Sequence, residues 1–236
     1  MNINNLIGGG YRRRLMMACG KTPTAWYVTD DIFAHFDGIW NAGEKVHTDD
    51  PTQIRDLVTG SLLSVEGLQI GSNCVFTTER NTANAVLFPT RSMAGNAELT
   101  VEVVLKTTQY RTVNRGGFAG VGSSPCNLFT WPLNSTPYLR FHKNNSNTST
   151  TIRYYADGIA HTFAFRSTMT DVKLFRDGVQ VGSWNISGSI GPSDQAVNFR
   201  LGGYVGELYA GRVYTRALSV EELQHNYNLD RTRFNL

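Results

Sequence analysis

Hydrophobic and polar positions in the last third of the chain change period twice, and each change predicts an element. Val172 and Leu174 occupy one face of a first arm, and Val179 and Val181 alternate along a second. Between them, Asp177-Gly178 is a dipeptide that accepts positive φ and matches strand twist, so the pair predicts a hairpin. Leu208 to Thr215 reads as a further strand. A helix start follows. Ser219 with Glu222 three residues on forms a capping box, and Leu218 and Leu223 are placed to staple across it. The apolar pattern supports about two turns, ending near Asn228. Strand, strand and short terminal helix describe a chain that closes a sheet and ties off its end.

The order of these pieces resembles the laminin G-like, concanavalin A-like jelly-roll family. The residues that carry the resemblance are Asp177-Gly178, Leu201-Gly202-Gly203, and Tyr214-Thr-Arg-Ala-Leu-Ser219 followed by Glu221-Glu222. Upstream, Ile32 to Gly38 looks like the family's first strand. Gln53 to Leu57 resembles a segment in which tryptophan is common where Ile54 stands here, and Leu99 to Leu105 looks like the first long core strand. The resemblance covers residues 30–232. It implies an all-β jelly-roll sandwich with a short C-terminal helix and an extended N-terminal arm. It does not imply one function, because the sandwich hosts lectins, glucanases, adhesion modules and structural domains.

Composition agrees with one sandwich. At 236 residues with 41% hydrophobic residues, the chain can fill a single all-β core, and its 23 glycines and closely spaced turn clusters favour strands over helices. No stretch reaches membrane-spanning length, so membrane insertion is not expected. The formal charge of +3 is uneven. Residues 1–29 carry Arg12, Arg13, Arg14 and Lys21 with no acid (+4), so the remainder sums to −1. A near-neutral body argues against a nucleic-acid partner. Cys19, Cys74 and Cys126 are odd in number and far apart, and read as free thiols.

The division expected is a basic arm at 1–29 and a jelly-roll domain at 30–236. The arm admits three functional readings. The apolar run Leu15 to Ala18 is well short of the roughly 7–15 residues of an export signal. Gly20-Lys21-Thr22 lacks the first glycine of a phosphate-binding loop, whose place is taken by Leu15. The remaining functional reading is an assembly anchor, with Tyr11, Arg12, Arg13, Arg14, Leu15, Met16 and Met17 ordering against a partner. The plain alternative is a disordered tail. Short Arg/Met-rich leaders before a jelly roll resemble those of virion surface proteins encoded by gut bacteriophages and prophages. That resemblance implies capsid decoration, a head fibre or a tail adhesin, with other virion proteins as partners through the arm.

Catalysis is not expected. The glucanase branch of this fold sets three carboxylates on one strand face, whereas Glu98-Leu-Thr-Val-Glu102 has Thr100 at the middle position and no third acid. Glu98 and Glu102 read as solvent-facing residues of a strand near a sheet edge. His35 and Asp37 share a strand face and read as structural. A Ca²⁺ near the sandwich rim is common in the family, and Asp49, Asp50, Asp157 and Asp194 are loop acids of the right chemistry. Each also reads as a turn former, so no metal site is assigned.

Binding is the better prospect. Sugars offer apolar C–H faces and hydroxyl edges, which suit an aromatic platform beside donors and acceptors. Trp131, read as a loop residue before Pro132, is the platform candidate, with Tyr138 and Arg140 on the following strand; the alternative is that these rings fill the core. Lys143 to Thr150 reads as a hairpin loop tip, and Trp40 as a second loop tryptophan. Two functions remain open. One is a non-catalytic protein of the virion surface that displays its jelly roll to host or mucosal glycan. The other is a bacterial carbohydrate-binding module, secreted or at the cell surface. Either could be a homo-oligomer.

Overall fold

A computed structural model describes residues 26–40, 53–79, 83–92, 98–108, 116–121, 126–133, 136–143, 146–150, 157–186, 194–195 and 197–236; at 116–117, 126–133, 136–143, 146–150 and 194–195 it describes the backbone alone. In chain order the strands are β1 (Ile32–Asp37), β2 (Ser64–Glu66), β3 (Gln69–Ile70), β4 (Val75–Thr77), β5 (Ala85–Leu87), β6 (Arg91–Ser92), β7 (Leu99–Thr107), β8 (Gly116–Val121) and β9 (Cys126–Leu133). They continue as β10 (Thr136–Lys143), β11 (Ser146–Thr150), β12 (Ala160–Ser167), β13 (Val172–Arg176), β14 (Val179–Trp184), β15 (Asp194–Gln195), β16 (Val197–Arg200) and β17 (Gly206–Tyr214), before helix α1 (Val220–Phe234).

The strands form an antiparallel sandwich. One sheet runs β14-β13-β12-β7-β17-β4-β3, with β1 also paired to β17; the other runs β11-β10-β9-β8-β16-β5-β2, and β6 and β15 make a separate ribbon. Val101, Val103, Phe163, Phe165 and Leu174 of the first sheet meet Val86, Phe118, Val121 and Phe199 of the second in one core. Gly211 lets the sheets approach closely: a Cβ there would lie 2.5 Å from the Phe199 ring. The architecture is therefore the all-β jelly-roll sandwich with a C-terminal helix that the resemblance implied.

The Asp177-Gly178 hairpin forms, with φ of 52° and 74° at the two residues. Val172 and Leu174 are buried as expected, but Val179 is 62% exposed, because β14 is the edge of its sheet and its register slips between Leu174 and Phe175.

Helix α1 starts at the expected box: the Ser219 hydroxyl accepts from the Glu222 amide (3.2 Å), and Glu222 accepts from the Ser219 amide (2.8 Å). It then runs for 15 residues, about twice the expected length. The reason is chemical. Its buried stripe is Leu223, Asn226, Asp230, Arg233 and Phe234, so the second half docks through polar groups that a hydrophobic pattern does not register.

Those groups meet a polar layer on the outer face of the first sheet. Arg212 of β17 donates Nε to Glu102 of β7 (2.8 Å) and Nη1 to Asp230 (2.9 Å), with Nη2 on the other Asp230 oxygen. Asn226 donates to Glu102 (2.8 Å) and to the Tyr214 hydroxyl (3.0 Å). Arg233 grips both oxygens of Asp37, and the Tyr27 hydroxyl accepts from Arg233 (3.0 Å) while donating to Asp230 (2.7 Å). Glu102 is thus 1% exposed, not solvent-facing: β7 is central in its sheet, and α1 covers the face it shares with Arg212. Three carboxylates here face two guanidiniums. Burial raises the Glu102 pKa, with Asp230 adding to it, whereas Asp37, though also buried, is held below its usual value by Arg233. His35 and Asp37 share the expected strand face and are fully buried in this layer.

A second titratable cluster sits where β12 meets the hairpin. His161 Nδ1 lies 2.8 Å from Asp177 and Nε2 lies 3.1 Å from Asp157, with Arg176 beside both acids. Burial opposes the imidazolium, but the two carboxylates outweigh it and raise the His161 pKa.

Removing one partner from the buried layer leaves a desolvated charge unpaired, so Asp230→Ala should lower unfolding free energy by roughly 3–5 kcal/mol in a denaturant titration. The two histidines should act oppositely with pH. Burial, then Arg212, depresses His35 to about 3. Between its unfolded value and that, the unfolded chain binds the extra proton, so stability falls on acidification by up to about 1.4 kcal/mol per pH unit, and His35→Gln should flatten that limb. The raised His161 stabilises the fold below its unfolded pKa and loses this as pH rises through the folded one. His161→Gln should therefore shift the denaturation midpoint more at about pH 5.5 than at about pH 8.

Candidate functional site

Helix α1 covers the outer face of the first sheet, so the candidate surface is the outer face of the second, where Asn198 (9% exposed) and Gly120 are themselves buried. Its construction can be followed rung by rung. Val197 and Phe199 of β16 lie in the core, so Asn198 and Arg200 between and beyond them hold outer positions. Asn198 pairs with Gly120 of β8, Gly120 with Asn127 of β9, Asn127 with His142 of β10, and His142 with Asn147 of β11. Antiparallel partners occupy the same face, so these five residues make one outer row. Ala119, which is in the core, pairs with Leu128, and Leu128 pairs with Phe141, giving the matching inner row.

Strand β8 carries a bulge at Phe118: Gly117 pairs with Phe129 while Ala119 pairs with Leu128. Phe118 and Ala119 therefore both enter the core, and the outer positions that remain on β8 are Gly117 and Gly120. Two glycines leave a strand of bare backbone. With neighbouring strands about 4.8 Å apart, β9 and β16 stand about 10 Å from each other across it. The backbone pattern is a strand with glycine at its outer positions, flanked by the outer positions Asn127, Phe129 and Trp131 on β9 and Asn198 and Arg200 on β16, with Gly120 and Asn198 buried.

Trp131, Tyr138 and Arg140 fall on this face. Trp131 pairs with Tyr138, and Arg140 pairs with Phe129 one outer rung along. Trp131 lies inside β9, not in a loop, because the β9–β10 ladder continues through Pro132 to Leu133. The expected loop tip at Lys143 to Thr150 is likewise mostly strand: only two residues separate β10 from β11. Trp40 is 4% exposed and packs edge-on to Trp26, so it is a core residue.

On the β16 wall the polar groups are fixed. Arg200 Nε donates to the Asn198 carbonyl oxygen at 2.9 Å. A guanidinium can only donate, so the Asn198 NH₂ is the end left to donate elsewhere. Sequence reading missed Asn198, Arg200 and the two glycines. The signal was available in Gly116-Gly117-Phe118-Ala119-Gly120, where glycine in a strand marks a bulge or a close backbone approach.

Among the described residues, no group of three or more His, Cys, Asp or Glu is arranged to hold a metal ion. Asp157 bonds to the Ile159 amide (2.9 Å) and to His161, which is the turn-forming role. Asp194 lies in β15, and Asp49 and Asp50 lie outside the described residues, as do Tyr11, Arg12, Arg13, Arg14, Leu15, Met16 and Met17 of the expected anchor. Trp26, Tyr27 and Val28, assigned to the arm on sequence, pack on α1: the Val28 amide donates to Asn226 (3.1 Å), and His225 Nε2 reaches the Trp26 carbonyl (2.9 Å).

No protein-family model and no curated protein matches the chain. Solved structures do. The binding domain of Paraclostridial Mosquitocidal Protein 1 is 14% identical with a TM-score of 0.61, over 84% of this chain and 52% of that one. Trypanosoma rangeli sialidase is 10% identical with a TM-score of 0.64, over 94% of this chain and 38% of that one. A botulinum neurotoxin type C structure, described by its cell entry depending on interaction with two ganglioside molecules, is 9% identical with a TM-score of 0.60, over 84% and 51%. The chain thus spans about half of each toxin structure and less of the sialidase. At these identities the likeness is one of fold, and the fold is the concanavalin A-like jelly-roll sandwich.

Proposed function

We propose that this chain is a non-catalytic glycan-binding jelly roll. The observation that carries the reading is the glycine-bearing strand β8 on the outer face of the second sheet, flanked by aromatic positions Trp131, Tyr138 and Phe129 and by the amide and guanidinium of Asn198 and Arg200. About 10 Å separates the backbones of the strands that flank the glycines, on the scale of a sugar ring with its contacts. Aromatic positions suit its apolar face, and amides suit its hydroxyls, which both donate and accept. The ganglioside interaction described for the type C neurotoxin supports the use of this fold for glycans. A binding role also fits the acids: Glu102 is consumed by Arg212 and Asn226, and Glu98 accepts from the Ala217 amide, so neither is free for hydrolysis.

The finer reading is a virion surface protein attached by residues 1–25. Its support is positional. Trp26 to Val28 lie on α1, behind the first sheet, so a tether ahead of Trp26 starts on the side opposite the outer face of the second sheet. A free bacterial carbohydrate-binding module is the alternative.

Full-length protein should bind immobilised glycans, and both Trp131→Ala and Gly120→Val should reduce that binding at least tenfold while the circular-dichroism melt stays that of a folded sandwich. Wild-type binding to no glycan, or undiminished binding by the Gly120→Val variant, would overturn the reading. Mass spectrometry of gradient-purified particles from the source culture should find the full chain and not a deletion of residues 1–25; finding neither would leave the free module.

A further inference from the structure

In the His161 cluster one ring nitrogen has two partners of opposite kind. Nε2 lies 3.1 Å from Asp157 Oδ2, a carboxylate oxygen that accepts, and 2.8 Å from Arg176 Nη2, which can only donate. With a proton, Nε2 can bond the first; with a bare lone pair, it can bond the second. Nδ1 has one near partner, Asp177 Oδ2 at 2.8 Å, with Arg176 Nη2 farther off at 3.4 Å. It therefore carries a proton in either state.

The charge on the ring thus selects the bond at Nε2. As imidazolium, His161 donates to both carboxylates, and with Arg176 the four groups sum to zero charge. As neutral imidazole it keeps Nδ1–H on Asp177, accepts from Arg176 at Nε2, and leaves Asp157 without a ring donor. The His161 side chain is 8% exposed, so water is poorly placed to fill the gap.

The two carboxylates lie on different pieces of chain. Asp177 is in the β13–β14 turn, which β12 holds independently of the ring: the Thr162 amide donates to Asp177 Oδ1 (3.0 Å), and the Asp177 amide donates to the Thr162 carbonyl (2.8 Å). Asp157 is in the turn at 157–159, where the chain enters β12 of the first sheet after leaving β11 of the second. Apart from the ring and Arg176, that turn is held by the Gly158 amide on the Thr107 carbonyl (3.0 Å) and the Ile159 amide on Asp157 (2.9 Å). Ile159 itself is exposed.

The surrounding elements add no competing charge at the ring. Strand β7 sets Leu105 opposite His161, and Lys106 beyond it is paired with Glu207 at 3.2 Å. Phe163 of β12 meets the ring edge-on. Helix α1 contributes Tyr227, which feels Asp177 and Arg231.

We propose that His161 is a proton-operated clasp: a proton on Nε2 ties the 157–159 turn to the hairpin, and its loss passes Nε2 to Arg176 and frees that turn while the Asp177 side stays closed. The device is independent of the glycan-binding reading. Burial lowers the ring's pKa, but the bonds to Asp177 and Asp157 outweigh it and hold the value above the usual one. The clasp is therefore closed in mild acid and opens as pH rises through that raised value.

Hydrogen exchange of the full-length chain, corrected for intrinsic rates and followed across the His161 titration, is the test. Protection at the Gly158 and Ile159 amides should fall about tenfold as the ring deprotonates, the scale of one lost charge-assisted bond, while the Thr162 and Asp177 amides hold. Ring-nitrogen NMR shifts should show the neutral form as the Nδ1–H tautomer. Asp157→Asn should flatten the profile, because a side-chain amide can donate to the bare Nε2 as well as accept from the protonated one. Arg176→Gln should move the ring titration to higher pH by removing a neighbouring cation. Constant protection at Gly158 and Ile159 through the ring titration would overturn the clasp, as would an equal loss at all four amides or a neutral Nε2–H tautomer. A profile unchanged in Asp157→Asn would overturn the assignment to that carboxylate.

Discussion

Arg212 is the residue on which the rest of the molecule depends. It stands at the centre of the first sheet, fully buried, with Glu102 beside it, Asp230 of the helix above it and the Tyr27 ring 4.1 Å from its guanidinium carbon. An apolar residue at this position would bury as well, but it would hold the helix only by area. The guanidinium fork has donors in a fixed plane, so it sets where on α1 the carboxylate must be and therefore how the helix lies. Buried charge of this kind is a costly way to gain stability, and its use fits the demand for one orientation of the helix and of residues 26–28.

The two faces of the sandwich follow from that choice. With α1 and residues 26–28 committed to the back of the first sheet, the outer face of the second is the one the helix does not cover. There the chain does the reverse of what it does behind β7. It places small or neutral residues at the centre, Gly117 and Gly120, and moves its polar and aromatic residues to the flanking strands. The bulge at Phe118 joins core and outer face, because it sends two consecutive residues into the core and so leaves glycine at the outer positions beside them.

Much of the fold was legible, for physical reasons. Asp177-Gly178, the Ser219–Glu222 box and the long strand from Leu99 are local signals, in which residues a few positions apart decide the geometry. The helix length was not legible, because Asn226, Asp230 and Arg233 form a buried stripe that reads as solvent-facing. Glu102 failed for the same reason: its partner is 110 residues away, and no local rule connects them. Of the candidate site, the aromatic and arginine positions at 131, 138 and 140 could be picked out by chemistry. Their placement on one face needed the register of β9 against β10, and the outer glycines needed the bulge. Those are properties of pairing between strands, and the sequence of a single strand does not contain them.

The clamp around Tyr27 also defines a mechanical path. A pull on the chain ahead of Trp26 is received by the Tyr27 hydroxyl, handed to Asp230 and Arg233, and through Arg212 and Asp37 delivered to β17, β7 and β1 in the middle of the first sheet. Load entering there is shared among several charge-assisted bonds before any strand can peel. It bypasses the second sheet, so that sheet's outer face is mechanically separate from the chain entering at Trp26.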